Sequence, residues 1–356
     1  MSKLGIGIIG TGMIAKLAHL PGYSAIPDKC DIVAIADVNL EKGKDAAAKF
    51  NVAKTFTDYR DLLAMPEIDA VSVATPNALH KQITVDALYA GKHVLCEKPM
   101  AMKGDECREM IRAQRETGKL LQIALQWRFG GPVRFMRQYI DNGHMGDIYY
   151  ARSMALRRRE VPGWGVFIDK EKQGGGPLID IGVHILDLTL YLMGYPKPVI
   201  ASGVTFQKMG PDPKHYNAWG DYDRSKFTVE DFAVGLIRFE NGASITLESS
   251  FMGNMEKEFF GCHLFGTDAG ALLDLFSDKP ITLYSEVQQQ LFDMVPQNIP
   301  AVNSMYNAEV EAFVDAIVEG RPSPVPGEQG LILNAIFDAL YKSSDSGKDE
   351  PVDVSV

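Results

Sequence analysis

Four side chains in this chain have the type and placement that could do chemistry: Lys98, Asp180, His184 and Asp187. Lys98 stands in Glu97-Lys98-Pro99, directly after the apolar run Lys92–Cys96. A lysine pinned at the carboxyl end of a buried strand can hydrogen-bond a substrate oxygen, and partial burial draws its pKa toward a useful range. Asp180 and His184 lie in GGGPLIDIGVHILDLTLYLMG, residues 174–194, whose other positions are almost all apolar. Read as one helix from Pro177 to the stop at Gly194, this segment is buried nearly all round. Asp180, His184 and Asp187 then fall at i, i+4 and i+7 on one face. A carboxylate and an imidazole buried without partners cost several kcal/mol, so the stripe must meet something polar. A catalytic crevice, a satisfied structural network and a metal site all answer that need. Neither H-E-x-x-H nor a cysteine cluster accompanies the pair, so no metal is expected.

A second group of residues has the spacing of a dinucleotide cradle. The strand-like run Leu4 to Ile9 ends in Gly10-Thr11-Gly12, with Met13 and Ile14 opening a helix that contains Ala15. Gly10 permits the tight turn, Gly12 leaves the backbone open to a pyrophosphate, and Ala15 lets helix and strand pack closely. Helix N–H groups and the positive dipole end face the phosphates. A second strand ends in Asp37, whose carboxylate can accept ribose hydroxyls and repels a 2′-phosphate. Val38, Asn39 and Leu40 supply no cation for such a phosphate, so NAD is expected over NADP. Thr75, Pro76, Asn77 and His80 follow the third strand and are expected at the nicotinamide ribose. Gln126, Trp127 and Arg128 follow the last strand of this series. Trp127 and Trp164 are candidates for stacking on a sugar or a nicotinamide, against the plainer reading of aromatic core. Arg157 and Arg159 would share one face of a strand, with Arg158 on the other, which suits an anion or salt bridges.

The elements that must hold these residues divide the chain in two. Up to about residue 125, strands alternate with helices of 10–15 residues, which implies a doubly wound parallel sheet. From about 147 to 290 the segments 148–157, 198–206, 232–239, 243–251, 259–265 and 270–275 read as strands. Asn241-Gly242 marks a hairpin, and a mostly antiparallel sheet follows. Helices close the chain near 303–319 and 328–343. The division expected is 1–125, a dinucleotide-binding domain, and 126–356, a substrate domain of α/β type.

Composition excludes several classes. Of 356 residues, 46% are hydrophobic and 23% charged, as in an ordinary globular chain. A net charge of −10 disfavours nucleic acid and anionic membrane as partners. The N-terminal run is broken by glycines and reads as a buried strand rather than a signal peptide. Cys30, Cys96, Cys107 and Cys262 are scattered, as in reduced cytoplasmic chains.

GTGMIA, TPNALH, EKP and GGGPLIDIGVH together resemble the glucose–fructose oxidoreductase, inositol dehydrogenase and MocA family, and the similarity runs to YNAEVEAFVDAIVEG near the end. The resemblance implies an N-terminal Rossmann domain, a C-terminal α/β domain whose open sheet serves dimer or tetramer assembly, and NAD(P)-dependent redox at a hydroxyl carbon of a sugar, inositol or glycoside. It also implies that Lys98, Asp180 and His184 form the catalytic trio. Gly10, Gly12, Met13, Ile14, Asp37, Thr75, Pro76, Asn77, His80, Glu97, Lys98, Gln126 and Trp164 would hold the cofactor. Trp127, Arg128 and Arg157 would join the trio on the substrate. Three functions compete: a dehydrogenase inclined to C3 of a glucoside, an NAD-dependent glycosidase using transient ring oxidation, and a nucleotide-sensing regulator. The segment 207–230, with His215, Tyr216, Trp219 and Tyr222, could be a lid or an assembly arm.

Overall fold

A computed structural model describes residues 3–356. Its first sheet is built from β1 (Leu4–Ile9), β2 (Cys30–Ala36), β3 (Lys54–Phe56), β4 (Ala70–Val73), β5 (His93–Glu97) and β6 (Leu121–Ala124). All neighbours are parallel, in the order β3-β2-β1-β4-β5-β6. This is the doubly wound order whose topological switch, between β1 and β4, opens a crevice at the strands' carboxyl ends. β1, β4, β5 and β6 are buried on both faces and read as continuous apolar runs, as a sheet covered by helices requires. The short β3 was missed in the sequence because Lys-Thr-Phe is too brief to show a period.

The second sheet has nine strands. They are β7 (Ile148–Leu156), β8 (Pro198–Phe206), β9 (Phe232–Phe239), β10 (Ser244–Ser250), β11 (Phe259–Gly266), β12 (Ala269–Asp274), β13 (Ile281–Val287), β14 (Gln290–Met294) and β15 (Glu350–Pro351). The order is β14-β13-β12-β11-β7-β10-β9-β8-β15, and only the β7–β10 pair is parallel. β9, β10 and β12 alternate buried and half-exposed residues, so one face is packed and the other open. In the β9–β10 hairpin only Gly242 takes a positive φ, +85°, while Asn241 receives the Ala243 N–H on its side-chain oxygen.

Two expectations need correction, and one unassigned stretch gains an element. The strand read as 148–157 ends at Leu156, so Arg157, Arg158 and Arg159 lie beyond it and do not alternate across a strand. Between the two series of strands, Gly131–Asp141 forms a helix with Pro132 in its first turn. The segment 174–194 is two helices, Pro177–Asp180 and Gly182–Leu192, broken at Ile181. Gly182, a poor helix former, stands at the break, and the Ser249 hydroxyl donates to the Pro177 carbonyl at 2.7 Å. The single polar face drawn through Asp180, His184 and Asp187 is therefore interrupted.

By compactness the chain forms two units, Met1–Phe129 with Val302–Leu331 and Val356, and Gly130–Ala301 with Ile332–Ser355. The helix Met305–Val318 shares a core with the first sheet, where Val310, Phe313 and Val314 meet Ile8, Ala15 and Tyr23.

Candidate active site

In the first unit the glycine turn is drawn tight by its neighbours. Gly10 has φ +91°, and a Cβ there would come within 2.5 Å of the Ala74 carbonyl oxygen. At Gly12 a Cβ would meet nothing within 4 Å. The two glycines thus have different physical reasons: one is required by the fold, the other leaves a cradle open in front of the helix start. Thr75 Oγ1 is buried and makes no hydrogen bond within the chain. An open glycine cradle and an orphaned hydroxyl fit a bound dinucleotide. Asp37 braces the turn. Its Oδ2 accepts the Thr11 N–H at 2.8 Å and the Thr11 hydroxyl at 2.5 Å, and its Oδ1 accepts the Asn39 N–H at 2.9 Å. A carboxylate has about four acceptor positions, so little remains for two ribose hydroxyls. Val38 beside it is 91% exposed.

The helix after the turn carries a π-helical stretch, Ala15–His19, just ahead of Pro21. Proline cannot donate to the preceding turn, and a widened turn accommodates it. His19, buried in that stretch, reaches Glu97 Oε1 through Nε2 at 2.9 Å and Ser72 Oγ through Nδ1 at 3.1 Å. Tyr23 Oη lies 2.8 Å from the same serine hydroxyl. Glu97 Oε2 accepts the backbone N–H of Lys98 at 3.2 Å. Glu97, expected at the cofactor, is thus turned into the protein, where it ties the lysine's backbone to the glycine-turn helix. Lys98 itself is half-buried, and its bond to Pro99 is cis.

The other expected residues of this unit differ in exposure. His80 is fully buried, with Nδ1 2.8 Å from the Pro99 carbonyl and Nε2 2.8 Å from the Thr75 carbonyl. Burial lowers its pKa, against the pull of those two carbonyls. It props the two loops and is corrected from a ribose contact to a support. Arg128, expected on the substrate, is buried and donates to Gln329 Oε1 at 2.6 Å and to the Pro324 carbonyl at 3.4 Å. Gln126 is buried against Tyr306, Trp127 is half-buried, Asn77 is buried and Pro76 is exposed. Ile14 is partly buried against the core, whereas Met13 is 62% exposed.

In the second unit Asp180 and His184 are buried at the helix break. Asp180 Oδ2 lies 3.7 Å from Arg157 Nη1. Asp187, by contrast, accepts a hydrogen bond from the Tyr195 hydroxyl and serves the structure. The loop leading into Asp180 is held by a residue that sequence reasoning missed. Glu230, buried, accepts the Gly176 N–H at 2.9 Å, the Leu178 N–H at 3.2 Å and the Tyr341 hydroxyl at 2.8 Å. Burial raises its carboxyl above the usual range, and these donors oppose that. The triple glycine follows from the same packing: a Cβ on Gly175 would strike the Tyr341 hydroxyl, and one on Gly176 the Glu230 carbonyl. Trp164 lies in this unit beside Trp219, ring centroids 5.4 Å apart.

These observations give an open glycine cradle, a lysine at the carboxyl end of β5, and a buried carboxylate and a buried imidazole on either side of a helix break. Residues 4–125 match the profile of an oxidoreductase family with an NAD-binding Rossmann fold, and residues 137–354 match its C-terminal alpha/beta domain. The chain belongs to the Gfo/Idh/MocA oxidoreductase family. It is an enzyme, and NAD is its cofactor. It is 37% identical to D-glucoside 3-dehydrogenase of Escherichia coli over 97% of both chains. It is 29% identical to levoglucosan dehydrogenase of Pseudarthrobacter phenanthrenivorans over 97% of this chain and 98% of that one. The fold matches a levoglucosan dehydrogenase structure in complex with NADH, with a TM-score of 0.88, 24% identity, and coverage of 99% and 100%.

Proposed function

We propose that this member of the family transfers hydride between NAD and a hydroxyl carbon of a sugar or glycoside, with C3 of a glucoside-type ring as the preferred position. The observation that carries this reading is the burial of Asp180 and His184, one on each side of the helix break, with Arg157 against the carboxylate. The 37% relative named D-glucoside 3-dehydrogenase supports the choice of ring carbon. NAD, when bound, supplies the hydride acceptor. His184 takes the proton from the reacting hydroxyl, and Asp180 steadies the charge that the imidazole gains. Lys98, by the family resemblance, is the ammonium that favours negative charge on a substrate oxygen. A purely nucleotide-sensing chain has no use for a buried proton acceptor of this kind.

Screening sugars, inositols and glycosides with NAD and NADP, by reduced-cofactor absorbance, tests the reading. Accumulating NADH with a glucoside is expected. Release of the aglycone without net NADH would point instead to a glycosidase that oxidises its substrate transiently. His184→Ala should lower turnover by about 10²–10⁴, the usual worth of a general base. A rate near wild type would remove His184 from its role.

Two further parts of the reading rest on separate observations. The four cysteines are buried and unbridged, which suits the cytoplasm. The open face of the second sheet bears Val204, Phe206, Phe232, Val234 and Leu236 side by side, which suits a homo-oligomer.

A further inference from the structure

The segment 207–230 is anchored to its own unit at several points. Asp231 Oδ2 accepts the backbone N–H groups of Lys208, Met209 and Gly210 at 2.5–2.8 Å. Arg224 donates to the Gly210 carbonyl at 2.9 Å and to the His215 carbonyl at 2.6 Å. Asn217 accepts the Val161 N–H at 2.8 Å and donates to the Val161 carbonyl at 3.0 Å, as a strand partner would. The next residue, Ala218, donates to the Arg159 carbonyl at 2.8 Å. Trp219 is therefore delivered to one place by anchors on both the loop and the 159–161 backbone.

That place adjoins Asp180. The Arg157 guanidinium lies 4.6 Å from the Trp219 ring and 5.7 Å from the Phe251 ring. Cation–π contacts of this kind contribute about 0.5–2 kcal/mol and hold the guanidinium still. Its Nη1 is buried, makes no hydrogen bond and lies 3.7 Å from Asp180 Oδ2. Trp164 packs against Trp219. Trp164 and Trp219 remain 42% and 39% exposed. An orphaned guanidinium N–H beside Asp180, with two half-open indoles one guanidinium further out, is the surface expected around a bound molecule.

Resting on the reading under Proposed function, we propose that Trp219 and Trp164 form a subsite for a ring-bearing aglycone, with Arg157 donating to a hydroxyl of the sugar attached to it. The position decides the occupant. Asp180 serves the reacting carbon, and the indoles stand beyond Arg157, so a group stacked there belongs to what the reacting sugar carries. A sugar ring and an aromatic ring both offer a face that stacks on indole.

The test compares phenyl glucoside, cellobiose and methyl glucoside as NAD-linked substrates of wild type, Trp219→Ala and Trp164→Ala. Trp164→Ala leaves the Asn217 and Arg224 anchors in place, so it stands if loss of Trp219 loosens the segment. Wild type should prefer the ring-bearing substrates in kcat/KM, and each variant should lose roughly tenfold of that preference, a stacking contribution of ordinary size. Preference for phenyl glucoside alone assigns the subsite to aromatic aglycones, and for cellobiose alone to a second sugar. An unchanged ratio in both variants overturns the proposal. Indole fluorescence gives a readout independent of turnover. Quenching by phenyl glucoside but not by methyl glucoside supports the subsite even if no substrate reduces NAD, which would instead refute the dehydrogenase reading. Equal response to both ligands overturns the subsite.

Discussion

At the scale of single residues, Gly10 and Gly12 separate folding from function. Gly10→Ala sets a side chain at φ +91° against the Ala74 carbonyl. The expected cost is at least about 1–2 kcal/mol. Gly12→Ala adds a methyl to open space but fills the cradle. Thermal unfolding should show a lowered midpoint for the first variant and an unaltered one for the second. NAD titration of Gly12→Ala should show an affinity at least about tenfold weaker. Tight NAD binding by Gly12→Ala would mean that the phosphates lie elsewhere. The motif's glycines were legible from spacing alone, whereas the bracing of Thr11 by Asp37 was not. A carboxylate at the end of β2 looks the same in sequence whether it faces a ribose or the protein's own turn. Buried thiols are inert by the same local physics: burial pushes Cys96 and Cys262 up to about 12 and Cys30 to about 11.

Among the elements, the loop and short helix that carry Asp180 depend on Glu230 and Tyr341, which lie 54 and 111 residues away from their partners Gly176 and Glu230. Glu230→Gln presents amide hydrogens where acceptor oxygens now serve backbone N–H groups. A stability loss of about 1–3 kcal/mol is expected from urea unfolding, the cost of unsatisfied buried donors. Turnover should fall with it while NAD affinity holds, and Tyr341→Phe should do less. Full turnover in a folded Glu230→Gln protein would show that the glycine loop holds itself. The helix break at Gly182 shows the limit of periodicity. Apolar residues recur on both sides of it, so composition reads through a bend that Ser249 and Gly182 create. His19 was passed over for a related reason: a lone histidine has no spacing partner, and its importance arises from Glu97 at the end of another strand.

For the whole molecule, the second sheet's open face sets the expectation for assembly. Val204 pairs with Val234, and Phe206 with Phe232, across the β8–β9 ladder on that face. Val234→Glu with Leu236→Glu should lower the assembly state measured by light scattering and leave NAD affinity in place. A wild-type mass of 39.2 kDa at every concentration would refute self-association through this surface. Among the described residues no single helix is long and apolar enough to cross a membrane. The strands of this sheet were legible where inward and outward residues alternate. β13, β14 and β15 were not read: β15 is two residues long, and in β14 all five residues are exposed, so no alternation exists to be seen.

What the sequence determined by itself was local: the glycine turn, the lysine after its strand, the order of strands and helices, and the family that these together resemble. Each is fixed by spacing within a few residues, where backbone geometry and burial period act directly. The tertiary structure alone decided that Glu97 and His80 face inward, that Glu230 holds the glycine loop, and that Trp219 stands over Arg157 beside Asp180. Those pairings join residues far apart in the chain. Which of them meet depends on how the whole core closes, and no short-range pattern encodes that.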